Sequence, residues 1–229
     1  MTDRPQRLPK RPADLLRALV AARDDSAGMA AVEFALILPV MVAMYLGVVE
    51  VSNGYLADLK VAALSNQLVG LVAQDNTSGG IVSSDLSDYF ASATNVMTPF
   101  TGSPAMTISS YVFPNPPNGS PPGTLPKALL DWTVTANGGK ARTCSLNDDP
   151  SIPSGLRVAG DSVIVADVSY SYTPLVGSVF QYVSPGATKI VLSRTSYQTP
   201  RSHEQGTSSM KLRLASGVSG TCNPEPSFP

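Results

Sequence analysis

The chain has 229 residues, of which 43% are hydrophobic, and a formal net charge of -1. That length suits one globular domain or two, and the near-neutral balance lacks the cationic excess of a nucleic-acid surface. With two cysteines, Cys144 and Cys222, and one histidine, His203 in a polar stretch far from both, no metal site is expected. No G-x-S-x-G elbow, histidine-based zinc pattern or complete phosphate loop occurs, so neither an enzyme nor a cofactor is expected.

Residues 1–28 carry six basic side chains (Arg4, Arg7, Lys10, Arg11, Arg17, Arg23) against four acids (Asp3, Asp14, Asp24, Asp25), and the balance reverses after Met29. The run from Met29 to Val49 is apolar except for Glu33, and about 20 such residues span a bilayer as a helix. It is longer than a secretory signal core of about 7 to 15 residues and ends in no small-x-small cleavage site. The basic residues before it place the N-terminus in the cytoplasm and the rest of the chain outside. A carboxylate inside such a run is costly, about 3 kcal/mol at mid-bilayer on insertion scales.

Beyond the run, Val48, Val51, Tyr55, Leu59, Ala62, Val69 and Ala73 recur in steps of three, four or seven, which predicts one helix from Met29 to Ala73 with this stripe as its buried face. Pro39 should kink it, and "QDNTSGG" at 74–80 should end it. A second helix is expected in "SSDLSDYFASA", capped by Ser83 or Ser84, with Val82, Leu86, Phe90 and Ala93 on one face. Four strands follow: 105–113, 129–136, 161–172 and 188–198, all rich in Val, Ile, Thr, Tyr and Ser. In the third, Ile164, Ala166, Val168, Tyr170 and Tyr172 alternate onto a face that can cover a helix. "PNPPNGSPPG" reads as a loop, "NGG" at 137–139 as a hairpin turn, and "PLVGSVFQYV" as a short helix or wide loop. The fold expected is α+β: a long, partly transmembrane N-terminal helix packed against an antiparallel sheet.

Both cysteines lie beyond the span, in a compartment that permits oxidation. One intramolecular Cys144–Cys222 disulfide is expected, tying the region after "NGG" to the C-terminal segment, with loop closure worth about 4 kcal/mol in the chain-entropy model. Asp148 and Asp149 in "LNDDPS" lack the alternating ligand spacing of a calcium loop and read as an acidic turn. Trp132, on a strand, reads as core.

The run "G-M-A-A-V-E-F" at 28–34 resembles the processing site of type IVb prepilins. The longer "AAVEFALILPVMVAMYLGVVEVSN", and to a lesser degree "VIVADVSYSYTPLVG", resemble TadE-like pseudopilins of Tad-type pili. That resemblance implies a pilin-like fold and cleavage by a prepilin peptidase between Gly28 and Met29. It makes Glu33 and Phe34 assembly residues, the fifth and sixth of the mature chain. The partners implied are the peptidase, other pilins or pseudopilins, the Tad assembly machinery and membrane lipid, with no nucleic acid. The location implied is the bacterial inner membrane, single-pass, with the globular part periplasmic and possible passage into a surface pilus that serves adhesion and colonisation. The organisation expected is a leader over 1–28, a helix over 29–73 and an exported α+β domain over 74–229. The alternative is an envelope binding protein that stays anchored and never joins a filament.

Overall fold

A single helix, α1 (Ser26–Ala73), carries the apolar run and continues well past it. The structure is a computed structural model and describes residues 26–75, 80–145, 147–174, 189–201, 212–220 and 222. The chain forms two compact units, Met1–Val51 and Ser52–Pro229, whose boundary falls within α1. In the first, every residue from 28 to 48 is exposed, Pro39 included. His203, most of "PLVGSVFQYV" and most of the C-terminal tail lie outside the described residues.

In the second unit α1 buries Ala57, Val61, Leu64, Leu68, Val69, Val72 and Ala73. This corrects the expected stripe. Its lower end, Val69 and Ala73, is buried, but Val51, Tyr55 and Leu59 are 74%, 63% and 47% exposed. Two apolar rows share this stretch of helix, and the row with the smaller residues faces inward. There Gly54 lets the Tyr172 ring approach, 3.7 Å from where a β-carbon would stand, and Ala57 is fully buried.

The sheet comprises β1 (Ala105–Val112), β2 (Leu129–Ala136), β3 (Ser162–Tyr172) and β4 (Ile190–Gln198), antiparallel throughout and ordered β2-β1-β3-β4. One core lies between it and the helices. There the expected β3 face, Ile164 to Tyr172, joins Met106, Ile108 and Trp132 against the buried row of α1. A smaller core covers the opposite face, with Tyr111, Phe113, Leu130, Ile152, Val163, Val165 and Cys222. Burial on both sides explains why Thr107, Ser109 and Thr133 are buried on a face that alternation alone would leave wet; Ser109 and Thr133 satisfy each other at 3.0 Å.

A second helix, α2 (Ser83–Asn95), buries Leu86, Phe90 and Ala93 as expected, but Val82, expected on the same face, precedes the helix at its cap position and is 36% exposed. Neither serine caps it: the cap position is Val82, without a side-chain hydrogen bond, and Ser84 Oγ donates to Asp85 instead. Its other end is held from α1, where the Lys60 ammonium donates to Val96 O at 2.9 Å and Thr98 O at 2.6 Å. A cation there also complements the helix dipole.

"NGG" does form a turn, with Asn137 and Gly138 at φ 52° and 79°, but no hairpin follows, because β3 pairs with β1 rather than β2. Residues 139–143 leave the turn across the outer face of the sheet. A β-carbon on Gly139 would lie 2.1 Å from Met106 O, so only glycine fits there. Thr107 Oγ1 then donates to Lys140 O at 3.1 Å. Between β1 and β2 the proline-rich loop makes two consecutive turns in which the amides of Ser120 and Thr124 donate to Pro117 O and Pro121 O. The same two residues' hydroxyls donate to the same carbonyls at 2.7 Å.

Candidate functional site

Gly28, Met29, Glu33 and Phe34 all lie near the start of α1 and are exposed, Met29 and Phe34 by 58% and 60%. The helix is described from Ser26, upstream of the expected start at Met29, so the Gly28–Met29 bond lies on helical backbone. Met29 and Glu33 are four residues apart, hence on one face of the helix, and Phe34 follows on the adjoining strip. The candidate site is a helix surface with one carboxylate near its head and uncovered apolar side chains below.

Cys144 and Cys222 form the expected disulfide, with Cα atoms 5.5 Å apart and a sequence separation of 78. Near it lies a polar cluster that spacing did not reveal. Arg142 donates through Nε to Asp167 Oδ2 at 2.8 Å and through Nη2 to Oδ1 at 3.1 Å, a bidentate pair. Its Nη1 donates to Tyr111 Oη at 3.1 Å and Ser151 Oγ at 2.9 Å, and the guanidinium lies 5.5 Å from the Tyr111 ring centre. Tyr111 Oη donates to Asp149, and Thr195 Oγ1 to Asp167 at 2.7 Å. The acidic turn is likewise held by cations, since Asp148 takes both its oxygens to Arg157 Nη1 at 2.8 and 2.9 Å. Beside Arg142 a groove of about 490 Å³ opens over the outer face of β3 and β4, lined by Lys140, Thr143, Asp167, Ser169, Ser193 and Thr195 among others.

Burial pushes the Asp148 and Asp149 carboxyls up, but their hydrogen bonds outweigh it and hold both below the usual carboxylate range: the Ala128 amide and Arg157 for Asp148, Tyr111 and Ser151 for Asp149. Burial and the bond to Asp75 push the Tyr89 hydroxyl up to about 12. A depressed carboxyl contributes stability that is present above its unfolded value, near 4, and lost as pH falls through the folded one; a raised phenol contributes stability that is lost as pH rises above about 10. The urea midpoint is therefore expected to hold level between these limits and fall on both sides. Asp148→Asn combined with Asp149→Asn should lower the plateau and flatten the acid limb, and an unchanged acid limb would contradict the assignment.

The exposed apolar helix of the first unit is long and apolar enough to be compatible with a single-pass membrane anchor, and the second unit is an α+β domain whose antiparallel sheet is covered on both faces. Residues 28–67 match the family model described as TadE-like protein, and a TadE-like segment points to a Tad pilus-related protein. The match lies wholly within α1 and includes Gly28, Met29, Glu33 and Phe34; the strand region at 161–198 lies outside it. No curated protein and no solved structure matches the chain.

Proposed function

We propose that this chain is a minor pilin or pseudopilin of a Tad-type pilus, cut by a prepilin peptidase between Gly28 and Met29, and that it acts in pilus assembly and through it in adhesion and colonisation. The observation that carries this reading is the TadE-like segment in which Glu33 follows Met29 by one helical turn, on a stretch of α1 that is otherwise uncharged from Met29 to Val49 and exposed from 28 to 48. Cutting there leaves an α-amine on Met29 beside the carboxylate. Its partners are the peptidase, neighbouring pilins and the assembly machinery of the inner membrane. The exposed Tyr55, Leu56 and Leu59 on the domain part of α1, with Val51 just before them at the end of the first unit, suit packing against another helix.

The amino-terminal sequence and intact mass of the protein from its native cell test this directly. Met29 is expected as the first residue, and Gly28→Leu should leave only the full-length form, because a side chain at that position blocks entry of the backbone into a protease cleft. Mature protein that still begins near Met1 would sink the reading. The groove beside Arg142 favours a second one, a permanently anchored binding protein that recognises its ligand there. Recovery in sheared filaments supports the pilin, and recovery in the membrane fraction alone supports the binding protein.

A further inference from the structure

Two rungs of the sheet form the floor of the groove beside Arg142. Ala105, Ser169 and Ser193 stand in register across β1, β3 and β4, and so do Thr107, Asp167 and Thr195, with neighbouring strands about 4.8 Å apart. Residues 139–143 make one wall, fixed where Gly139 passes Met106 O and where Thr107 Oγ1 bonds Lys140 O. The volume of about 490 Å³ falls in the range of small-molecule sites, about 300 to 1,000 Å³.

The polar groups of the groove are of two kinds. Arg142 is committed, since four of its five N–H donors go to Asp167, Tyr111 and Ser151, so its guanidinium is in place before any ligand arrives. The Thr143, Ser169 and Ser193 hydroxyls and the Lys140 ammonium line the same groove and make no hydrogen bond among the described residues. Charge cancels, with Lys140 and Arg142 against Asp149 and Asp167, while Arg194 is paired with Asp58 on α1. The apolar lining is small: Ala105 and Ala141 reach the surface, and Val168 is buried. A multiply charged anion therefore finds no net positive field, and an aromatic or acyl group finds no apolar pocket.

We propose that this groove binds a neutral oligosaccharide. A sugar hydroxyl both donates and accepts, as do the serine and threonine hydroxyls it would meet, and the C–H faces of the ring suit the two alanines. Arg142 and Asp167, held by each other, add the one uncommitted N–H donor and the carboxylate. Their fixed geometry lowers the ordering cost of binding. The proposal rests on the reading of the groove as a ligand site, whether the chain stays anchored or enters a filament.

The test titrates full-length 15N-labelled protein, in dodecylphosphocholine micelles that carry no sugar, with maltohexaose, cellohexaose and mannohexaose, and separately with hexagalacturonate and inorganic phosphate. At least one neutral hexaose is expected to shift the amides of Thr143, Ser169 and Ser193 at millimolar concentration, with little response to salt. Ser169→Leu combined with Ser193→Leu fills the floor and should weaken that binding roughly tenfold at an unchanged urea midpoint, whereas Lys140→Ala should leave it nearly intact. Shifts that persist in the double leucine variant would place the sugar elsewhere and overturn the proposal. Shifts produced by hexagalacturonate or phosphate alone, and lost in Lys140→Ala, would also overturn it while leaving the groove a ligand site. Silence towards every probe would overturn both.

Discussion

A chain carrying Glu33→Leu is expected to reach the membrane and lose its leader, yet to be missing from sheared filaments. The substitution makes the anchor more apolar, so insertion should not suffer; what it removes is the partner of the amine created at Met29. With about 4 Å between the charges and an effective dielectric near 20, their attraction is roughly 4 kcal/mol, comparable with the penalty of about 3 kcal/mol for the carboxylate in the bilayer. The pair thus offsets a burial that the acid alone could not sustain. Within one chain the two groups are a turn apart, beside a helix N-terminus that favours negative charge. Between chains, Glu33 of an arriving subunit would meet the Met29 amine of one already in place and set their axial register. Glu33→Asp, with a shorter arm, should be partly defective. Normal piliation and normal recovery of the Glu33→Leu protein from filaments would refute this role.

Trp132→Ala is expected to destabilise the second unit by about 3 to 5 kcal/mol, the range for emptying a buried aromatic site. Trp132 is 1% exposed and lies in the larger core between β2 and the helices. It is also the buried side chain that holds Leu212 O. Trp132→Phe keeps most of the ring volume but leaves that carbonyl without its donor, and should cost about 1 to 3 kcal/mol. Urea unfolding of full-length protein in micelles reads both as lower midpoints at unchanged slope. A shift under 1 kcal/mol for alanine would show that the ring supports little of the core.

Periodicity revealed the elements of this fold more readily than their neighbours. The four strands, α2 and the β3 face against the helix follow from alternation and helical spacing, and the disulfide from two cysteines that both follow the apolar run. The buried row of α1 was obscured because 51, 55, 59 and 57, 61, 64, 68 both satisfy helical spacing, and only the approach of the sheet selects between them. The turn at 137–139 was legible as a turn, but which strand pairs next depends on a contact of Gly139 with Met106 that is distant in sequence. Within the candidate site, Gly28, Met29, Glu33 and Phe34 are contiguous and could be read directly. Arg142 and Asp149 come from the β2–β3 connection, Tyr111 from β1 and Asp167 from β3, and no spacing links them. The one hint was an arginine two residues before a bonded cysteine, on a segment the sheet has to hold in place.

The stiffened loop between β1 and β2 bears on the order in which the second unit assembles. Pro114, Pro116, Pro117, Pro121, Pro122 and Pro126 restrict the chain before it folds, and the doubly bonded turns at Ser120 and Thr124 need only neighbouring residues. Bringing β1 and β2 together therefore loses less entropy than a flexible connection of equal length would. Being N-terminal to β3 and β4, these two strands are also synthesised first. Their ladder is then a ready template: β3 arrives to find β1 already aligned, and the slow search for a distant partner is confined to the later strands.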